Sequence, residues 1–238
     1  MPQRIILAIT GATGMLYVTA LLDLLADQEV AVDAIISDSG RKVLRLEQDM
    51  APEDLPGVSR WFPASDFTAP PASGSARYDA MIILPCTVGT LGAIAGGFSG
   101  NLIHRAADVT LKERRPLILA VRETPLNRTH LKNMLTLHDA GATICPPMPS
   151  FYLHPPDLQA MARQFAGRIC DQIGLHLQDL PRWQGIRPSV QDVGGETGRY
   201  FNGRGTGMPG DALGKSRSLA GNVLLTFPVQ LYKNVAML

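Results

Sequence analysis

The chain has 238 residues, of which 45% are hydrophobic and 18% are charged, enough for one sizeable core with room for an appendage. Lys and Arg total 22 against 21 acidic residues, so no strong electrostatic field favours nucleic acid or an anionic membrane surface. Aromatic residues make up 6% of the chain, and no basic and aromatic stripe is typical of a single-strand binding groove. Nucleic acid is therefore not expected as a partner.

The three cysteines, Cys86, Cys145 and Cys170, are widely spaced and include no C-x-x-C pair. This spacing argues against a disulfide framework and against a zinc site. All three stand among apolar residues, which favours buried structural thiols. The apolar N-terminal run is short and lacks a cleavage site of small residues, so we interpret it as a first strand and expect a cytoplasmic protein.

Apolar runs rich in branched residues alternate with amphipathic stretches along most of the chain. The runs predict strands at 4–10, 30–37, 78–84, 116–121 and 142–145. The stretches predict helices at 15–26, around 43–46, and at 90–95, 103–114, 126–139 and 157–173. This alternation predicts an α/β fold with a doubly wound parallel sheet of the Rossmann or flavodoxin type.

Two segments depart from this alternation. Residues 51–75 contain five prolines and end in Pro-Pro-Ala-Ser-Gly-Ser, which predicts a long irregular loop. Residues 186–238 contain nine glycines, and their 194–214 stretch has no hydrophobic period, which predicts a partly flexible extension. The apolar stretch 219–238 is interrupted by polar residues and proline, so we expect no membrane span. We therefore expect one domain at 1–185 and a C-terminal extension at 186–238.

Ligands of doubly wound folds bind beyond the carboxyl ends of the strands, so the residues that follow each strand are candidates for a site. Residues 10–14 (Thr-Gly-Ala-Thr-Gly) follow the first strand, where glycines let the backbone approach a phosphate and the next helix offers unpaired N–H groups. A tight turn that binds no ligand explains this short motif equally well. The second strand is followed by Ser37 rather than by an acid for a ribose hydroxyl, which favours FMN over a dinucleotide.

The ends of two further strands also carry polar groups. Residues 85–90 (Pro-Cys-Thr-Val-Gly-Thr) offer hydroxyls and helix-start amides for a flavin ring or phosphate, although Thr87 also suits an ordinary helix cap. Arg122 and Glu123 form a cation and acid pair that indicates either a site or a structural ion pair. Lys112 stands at a helix end, where basic residues favour the dipole, and Arg168 could extend its charge from an apolar helix face to water.

Six motifs occur in one order along residues 3 to about 185: ITGATG (9–14), PPASGSA (70–76), ILPCTVGTL (83–91), NLIHRAADVTLKERRPLILAVRETPL (101–126), PPMPSFYLHP (146–155) and LPRWQG (180–185). Together they resemble the UbiX/Pad-type flavin prenyltransferases, within the homo-oligomeric flavin-containing cysteine decarboxylase-like proteins. The long middle block and the Phe-Tyr and Arg-Trp elements carry the specificity of this resemblance.

The resemblance implies an enzyme that joins a dimethylallyl group from dimethylallyl phosphate to N5 and C6 of reduced FMN. The product, prenylated FMN, would serve a UbiD-type decarboxylase. Family members need no metal and are usually homododecamers with active sites at subunit contacts.

The resemblance also implies roles for individual residues. FMN would be held by Gly11, Ala12, Thr13, Ser37, Thr87, Val88, Gly89, Thr90 and Arg122. Dimethylallyl phosphate would be held by Lys112, Arg122, Tyr152 and Arg168, with Glu123 close by. Glu47 would take part in proton handling, and Trp183 would pack near the site in a closing C-terminal segment.

Two departures and two alternatives accompany this interpretation. Position 13 is Thr where the family usually has Ser, and residues 186–238 have no counterpart. One alternative is an FMN-dependent oxidative decarboxylase of a cysteine-type substrate, but those relatives use a His after the first helix and a Pro-x-Met-Asn motif. This chain has Pro-Met-Pro-Ser at 147–150 and no His before His104. The other is a non-catalytic flavin-binding regulatory subunit, which the retained set of polar site residues argues against.

Overall fold

The computed structural model describes residues 4–185, so the expected extension at 186–238 lies outside the described residues. One parallel sheet contains six strands, β1 (Arg4–Ile9), β2 (Ala31–Ile36), β3 (Val58–Pro63), β4 (Ala80–Cys86), β5 (Leu117–Val121) and β6 (Thr143–Ile144). Their order is β3-β2-β1-β4-β5-β6, the order of the doubly wound Rossmann sheet. The predicted fold class is confirmed.

In the described part of the chain, six helices cover the two faces of the sheet. They are α1 (Met15–Ala26), α2 (Asp38–Gln48), α3 (Val88–Ala95), α4 (Leu102–Lys112), α5 (Arg128–Asp139) and α6 (Leu158–Gln172). Alternate residues of β1 point to opposite faces, so Ile5 and Leu7 pack in a cluster with α1 and α6, while Ile6 and Ala8 pack with α3 and α4. Burial on both faces explains the continuous apolar runs of the central strands.

The prediction of an irregular loop over residues 51–75 is wrong in its middle, where β3 lies at the edge of the sheet. Among the described strands, β3 pairs only with β2, in parallel, with Ile35 opposite Phe62. An edge strand is half exposed and tolerates proline, so Pro63 ends β3 without breaking the sheet. Single turns of 3-10 helix, Pro52–Asp54 and Pro70–Ala72, flank the strand. The prolines therefore mark the boundaries of β3 and do not exclude it.

Two smaller predictions are only partly correct. Cys86 and Cys170 are buried, which raises the pKa of both thiols to about 12, but Cys145 is only half-buried. The apolar face predicted for the last helix is buried at Phe165 and Ile169, whereas Leu158, its first residue, is 66% exposed. Within residues 4–185, no helix combines the length and the hydropathy that crossing a bilayer requires.

The order of the sheet reverses between β1 and β4, and a buried hydroxyl joins these two strands at their carboxyl ends. Thr10, which is 2% exposed, donates its hydroxyl hydrogen to the carbonyl of Pro85 at 2.7 Å. The same hydroxyl oxygen accepts the amide of Thr87 at 2.9 Å. The turn after β1 and the turn after β4 therefore begin side by side, at the position where ligands bind in this fold.

Candidate active site

The start of α1 is capped by a carboxylate from another helix. Gly14 occupies the cap position with a φ of 121°, where glycine is favoured, and it has no side chain with which to cap. Glu47, near the end of α2, accepts the amide of Gly14 at 3.0 Å and the amide of Met15 at 2.8 Å. An acid at the positive end of a helix is stabilising. These two amides are therefore already bound to an anion of the chain itself.

Two glycines allow the start of α2 to pack directly against the end of β1. A Cβ at Gly11 would lie 2.3 Å from the Cβ of Ser39, and a Cβ at Gly40 would lie 2.8 Å from the carbonyl oxygen of Ile9. Ser37 caps α2, since its hydroxyl oxygen accepts the amide of Gly40 at 3.0 Å. The backbone of the turn after β1 and the hydroxyl of Ser37 are thus held on the same side of the sheet. Ala12 and Thr13 complete that turn.

The start of α3 has the geometry of an anion site. Thr87 is its cap and accepts the amide of Thr90 at 3.2 Å and lies 3.0 Å from the Thr90 hydroxyl. The first backbone hydrogen bond of the helix is donated by the amide of Leu91 to the carbonyl of Thr87. The amides of Val88 and Gly89 come before this first bond, so they have no acceptor within the helix and point out of its end. A Cβ at Gly89 would meet only the Thr87 hydroxyl, at 3.9 Å, which leaves room for a ligand.

A cation and an acid, Arg122 and Glu123, follow β5 at the same carboxyl-terminal end of the sheet. The amide of Arg122 donates to the carbonyl of Cys86 at 2.9 Å, which joins the end of β5 to the end of β4. The side chains of Arg122 and Glu123 are exposed, and Glu123 accepts the amide of Thr124 at 3.0 Å. Arg122 therefore adds a positive charge beside the strand end that leads into α3.

A cavity of about 460 Å³ brings three of the sequence-predicted residues together: Tyr152, Arg168 and Trp183. The rings of Tyr152 and Trp183 meet edge to face with their centroids 5.4 Å apart. Met161 and Phe165 add apolar surface from α6. The cavity thus combines a guanidinium, a phenol and apolar walls, which suits an anion with a short hydrocarbon chain.

Sequence reasoning missed the carboxylate that binds Arg168. Asp171 accepts Arg168 at 2.8 Å, and it accepts two hydrogen bonds from the Arg182 guanidinium, at 2.9 and 2.8 Å. The bonds from Arg182, aided by His176, hold the pKa of Asp171 below its usual range although burial opposes them. The spacing of Arg168 and Asp171, three residues apart on a helix, was a signal that the pair could meet.

One aromatic contact separates the cavity from the turn after β1. The ring of Tyr17, in the first turns of α1, meets the ring of Phe165 edge to face at 5.1 Å. Tyr17 also packs at Gly14, where a Cβ would lie 3.1 Å from its ring. The glycine turn and the cavity are therefore neighbours on the two sides of this ring pair.

Lys112, in contrast, lies at the amino-terminal end of the strands, away from the strand ends described above. α4 begins beside the end of β3, where the amide of Leu102 donates to the carbonyl of Ala64 at 2.7 Å, and it ends close to Pro116, just before β5. Lys112 pairs there with Glu113. Within one subunit Lys112 does not join Tyr152 and Arg168, and Glu47 and Glu123 are not among the cavity walls either.

The Flavoprotein family model matches residues 1–171 of the chain. Flavin prenyltransferase PAD1, mitochondrial, from Saccharomyces cerevisiae is 43% identical over 187 residues, which are 78% of this chain and 77% of the relative. This chain belongs to the flavin prenyltransferases of the Flavoprotein family.

Two solved structures resemble this flavin prenyltransferase over their whole length. AnUbiX (PadA1), in complex with FMN and dimethylallyl pyrophosphate, is 39% identical with a TM-score of 0.76 and matches 79% of this chain and 100% of its own. A dodecameric FMN-dependent UbiX-like decarboxylase from Escherichia coli O157:H7 is 38% identical with a TM-score of 0.74, over 77% of this chain and 100% of its own.

Proposed function

We propose that this flavin prenyltransferase transfers the dimethylallyl group of dimethylallyl phosphate to N5 and C6 of reduced FMN and releases prenylated FMN. The observation that carries the proposal is the cavity of Tyr152, Arg168 and Trp183, one ring pair away from the turn after β1. A flavin beyond the strand ends and a prenyl phosphate in the cavity would lie side by side. AnUbiX (PadA1), which binds FMN together with dimethylallyl pyrophosphate, supports this pairing of ligands.

The residues at the strand ends fit FMN by the chemistry of their donors. The hydroxyls of Ser37 and Thr87, the amides at the start of α3 and the cation of Arg122 suit a phosphate and a polar ring. Gly11, Ala12 and Thr13 would form the backbone wall beside the flavin. Because the Glu47 carboxylate already binds the first amides of α1, we assign the FMN phosphate to the start of α3 rather than to the turn after β1.

The cavity residues would bind and activate the prenyl phosphate. Negative charge grows on the phosphate as its bond to the allylic carbon breaks, and Arg168 and Tyr152 stabilise that charge as it forms. Trp183 and Phe165 exclude water, and the Trp183 ring stabilises positive charge on the allyl group. Reduced FMN supplies the nucleophilic N5 and C6 atoms when it is bound. As the allylic C–O bond breaks and the bonds to N5 and C6 form, N5 and C6 each lose one proton, and one proton is added to the middle carbon of the allyl group. The departing phosphate or a carboxylate such as Glu123 would transfer that proton and keep the other.

We further propose a homo-oligomer, a dodecamer as in the Escherichia coli relative, in which Lys112 of one subunit serves the cavity of another. The position of Lys112 at the amino-terminal end of the strands supports this assignment, because its side chain does not line the cavity of its own subunit. Coexpression of Lys112→Ala and Arg168→Ala subunits tests it. Mixed oligomers would recover activity that each variant alone lacks, and no recovery would mean that Lys112 is not supplied to the cavity by another subunit.

The product and the conditions of the reaction follow from the same proposal. Prenylated FMN would activate a UbiD-type decarboxylase supplied without its cofactor, and EDTA would leave the transfer unchanged because no metal takes part. The cytoplasmic location stays a prediction, and the name of the yeast relative places that protein in the mitochondrion.

Anaerobic incubation of the protein with reduced FMN and dimethylallyl phosphate, followed by mass spectrometry of the flavin, tests the proposed reaction. We expect the flavin to gain the mass of one isoprene unit. Absence of this adduct under conditions in which FMN binds would rule the transferase out.

A further inference from the structure

One carboxylate, Asp171, stands where three cationic or titratable side chains meet in the cavity wall. It lies in the last turn of α6, and its side chain is only 9% exposed. Arg168 reaches it from one turn earlier on the same helix, at 2.8 Å, and Arg182 reaches it from the C-terminal segment with two bonds. His176 lies 3.5 Å from the second carboxylate oxygen. Two arginines against one acid leave a net positive charge at the cavity.

Residues 180–183, which we name the strap, are attached to α6 at two places. Arg182 binds Asp171 and also donates to the carbonyl of Leu177 at 3.3 Å. Leu180 packs on Gly167, where a Cβ would lie 1.9 Å from the Leu180 Cδ1 atom. The strap thereby forms one wall of the cavity and carries Trp183 against the ring of Tyr152.

We propose that Asp171 is a positioning residue that orients Arg168 toward the prenyl phosphate and, through Arg182, fastens the strap across the cavity. The inference rests on the proposed function, because it names what holds two of that site's residues in place. Arg168 is 63% exposed on a long flexible side chain, and ordering such a side chain on binding costs entropy. A fixed carboxylate partner orders it beforehand. The same carboxylate ties the orientation of Arg168 to the closed position of Trp183.

The kinetic test compares Asp171→Asn and Arg182→Gln with wild type. We expect KM for dimethylallyl phosphate to rise by about ten-fold or more in Asp171→Asn, because Arg168 loses the charge-assisted bond that orients it. KM should also rise in Arg182→Gln, because the strap loses its attachment to Asp171. In both variants kcat should change less, and FMN affinity should be unchanged. Asp171→Glu keeps the charge and should restore part of the loss. The matched controls are Asp27→Asn and Arg163→Gln, an ion pair at 3.6 Å that joins α6 to the end of α1.

A second readout does not depend on activity. The chain has two tryptophans, so a Trp61→Phe background leaves Trp183 as the only tryptophan emitter. In that background we expect acrylamide to quench Trp183 more strongly in Asp171→Asn and in Arg182→Gln than in the parent or the controls. If Asp171→Asn fails to fold, Arg182→Gln alone tests the inference, because Arg182 is 43% exposed and its replacement leaves the core intact.

The outcomes separate this inference from the proposed function. If the wild-type protein binds FMN but forms no adduct, the proposed function is wrong. The quenching data would still show whether Asp171 fastens the strap. Unchanged KM in both variants would overturn the inference, with or without a change in quenching, because Asp171 would then be only structural. An equal rise of KM in the controls would overturn it as well.

Discussion

The hydroxyl of Thr10 accepts the amide of Thr87 at 2.9 Å and donates to the carbonyl of Pro85 at 2.7 Å, and these bonds join the ends of the two strands between which the sheet reverses its order. Thr10 is 2% exposed, so water does not compete for these bonds. The turn that carries Gly11 and the helix start that carries Gly89 both begin here. The distance between the two halves of the proposed FMN site is therefore set by buried strand ends and not by the turns themselves.

Replacing Thr10 by Val should weaken both the fold and the site. The variant keeps the shape of the side chain but leaves the Thr87 amide without its acceptor. The Pro85 carbonyl still accepts a hydrogen bond from the backbone amide of residue 10, at 3.2 Å. We expect the free energy of unfolding in urea to fall by about 1–3 kcal/mol, the cost of a buried unpaired donor, and FMN affinity to fall with it. Thr10→Ser keeps the hydroxyl and serves as control. Wild-type affinity in the Val variant would contradict this role.

Gly89→Ala should separate stability from FMN binding. The new methyl group meets only the Thr87 hydroxyl, at 3.9 Å, and alanine favours helix by up to about 1 kcal/mol over glycine, so unfolding should be unchanged or slightly harder. FMN affinity should nevertheless fall, because the methyl group enters the space assigned to the phosphate. Thermal unfolding and a flavin titration on the same sample measure the two effects. Wild-type FMN affinity in Gly89→Ala would contradict the assignment of the phosphate to the start of α3.

Glu47 caps α1, and the family resemblance also implies a role in proton handling for it. Glu47→Ala removes the cap of α1 and should lower the free energy of unfolding by about 1 kcal/mol, whereas Glu47→Gln keeps an acceptor oxygen and should lose less. The amide of Gln cannot accept a proton, so turnover in Glu47→Gln should fall while FMN stays bound. Turnover that merely follows stability across the two variants would leave Glu47 as a cap alone.

Asp33→Asn should destabilise the protein without touching the site. Asp33 is 1% exposed and accepts Arg4 and Arg60 at 2.7 Å and the hydroxyl of Tyr78 at 2.6 Å. Burial, then the bond to Asp33, raises the pKa of Tyr78 well above its usual value. Because both arginines are partly exposed, the loss should be about 2 kcal/mol, less than for a fully buried pair.

Urea unfolding measures this loss, and Asp27→Asn, an exposed acid, is the control. FMN affinity should be unchanged, since β2 carries Asp33 nearer its amino end. A marked loss of FMN binding at constant stability would mean that the two regions are coupled.

The strap should release only in acid. The bonds from Arg182 lower the pKa of Asp171 in the folded protein, so its ion pairs contribute full stability above the ordinary Asp pKa of about 3.9 and lose it as the pH falls through the lower folded value. Quenching of Trp183 in the Trp61→Phe background should stay constant near neutral pH and rise only below that range. Asp171→Asn should abolish the acid step. An acid step that persists in Asp171→Asn would contradict the role of Asp171.

Local pattern determined the elements whose burial is continuous or strictly periodic. The central strands β1, β4 and β5 are buried on both faces and so appear as unbroken apolar runs, and their order along the chain with the helices between them implies the doubly wound sheet. Because such sheets collect ligands at their strand ends, the sequence also indicated Gly11, Thr87 and Arg122 as neighbours. The motif resemblance added Tyr152, Arg168 and Trp183, which the fold brings to one cavity.

Only the tertiary structure decided the contacts between segments that have no shared period. The edge strand β3 is half exposed and flanked by prolines, so its pattern did not distinguish it from a loop. Glu47 caps a helix 32 residues away from it in sequence, and Arg182 binds Asp171 across a turn. Such pairs form because the packed sheet brings their backbones together, and no local rule encodes that proximity. The same geometry placed Lys112 at the amino-terminal end of the sheet, beside Glu113 and away from the cavity of its own subunit.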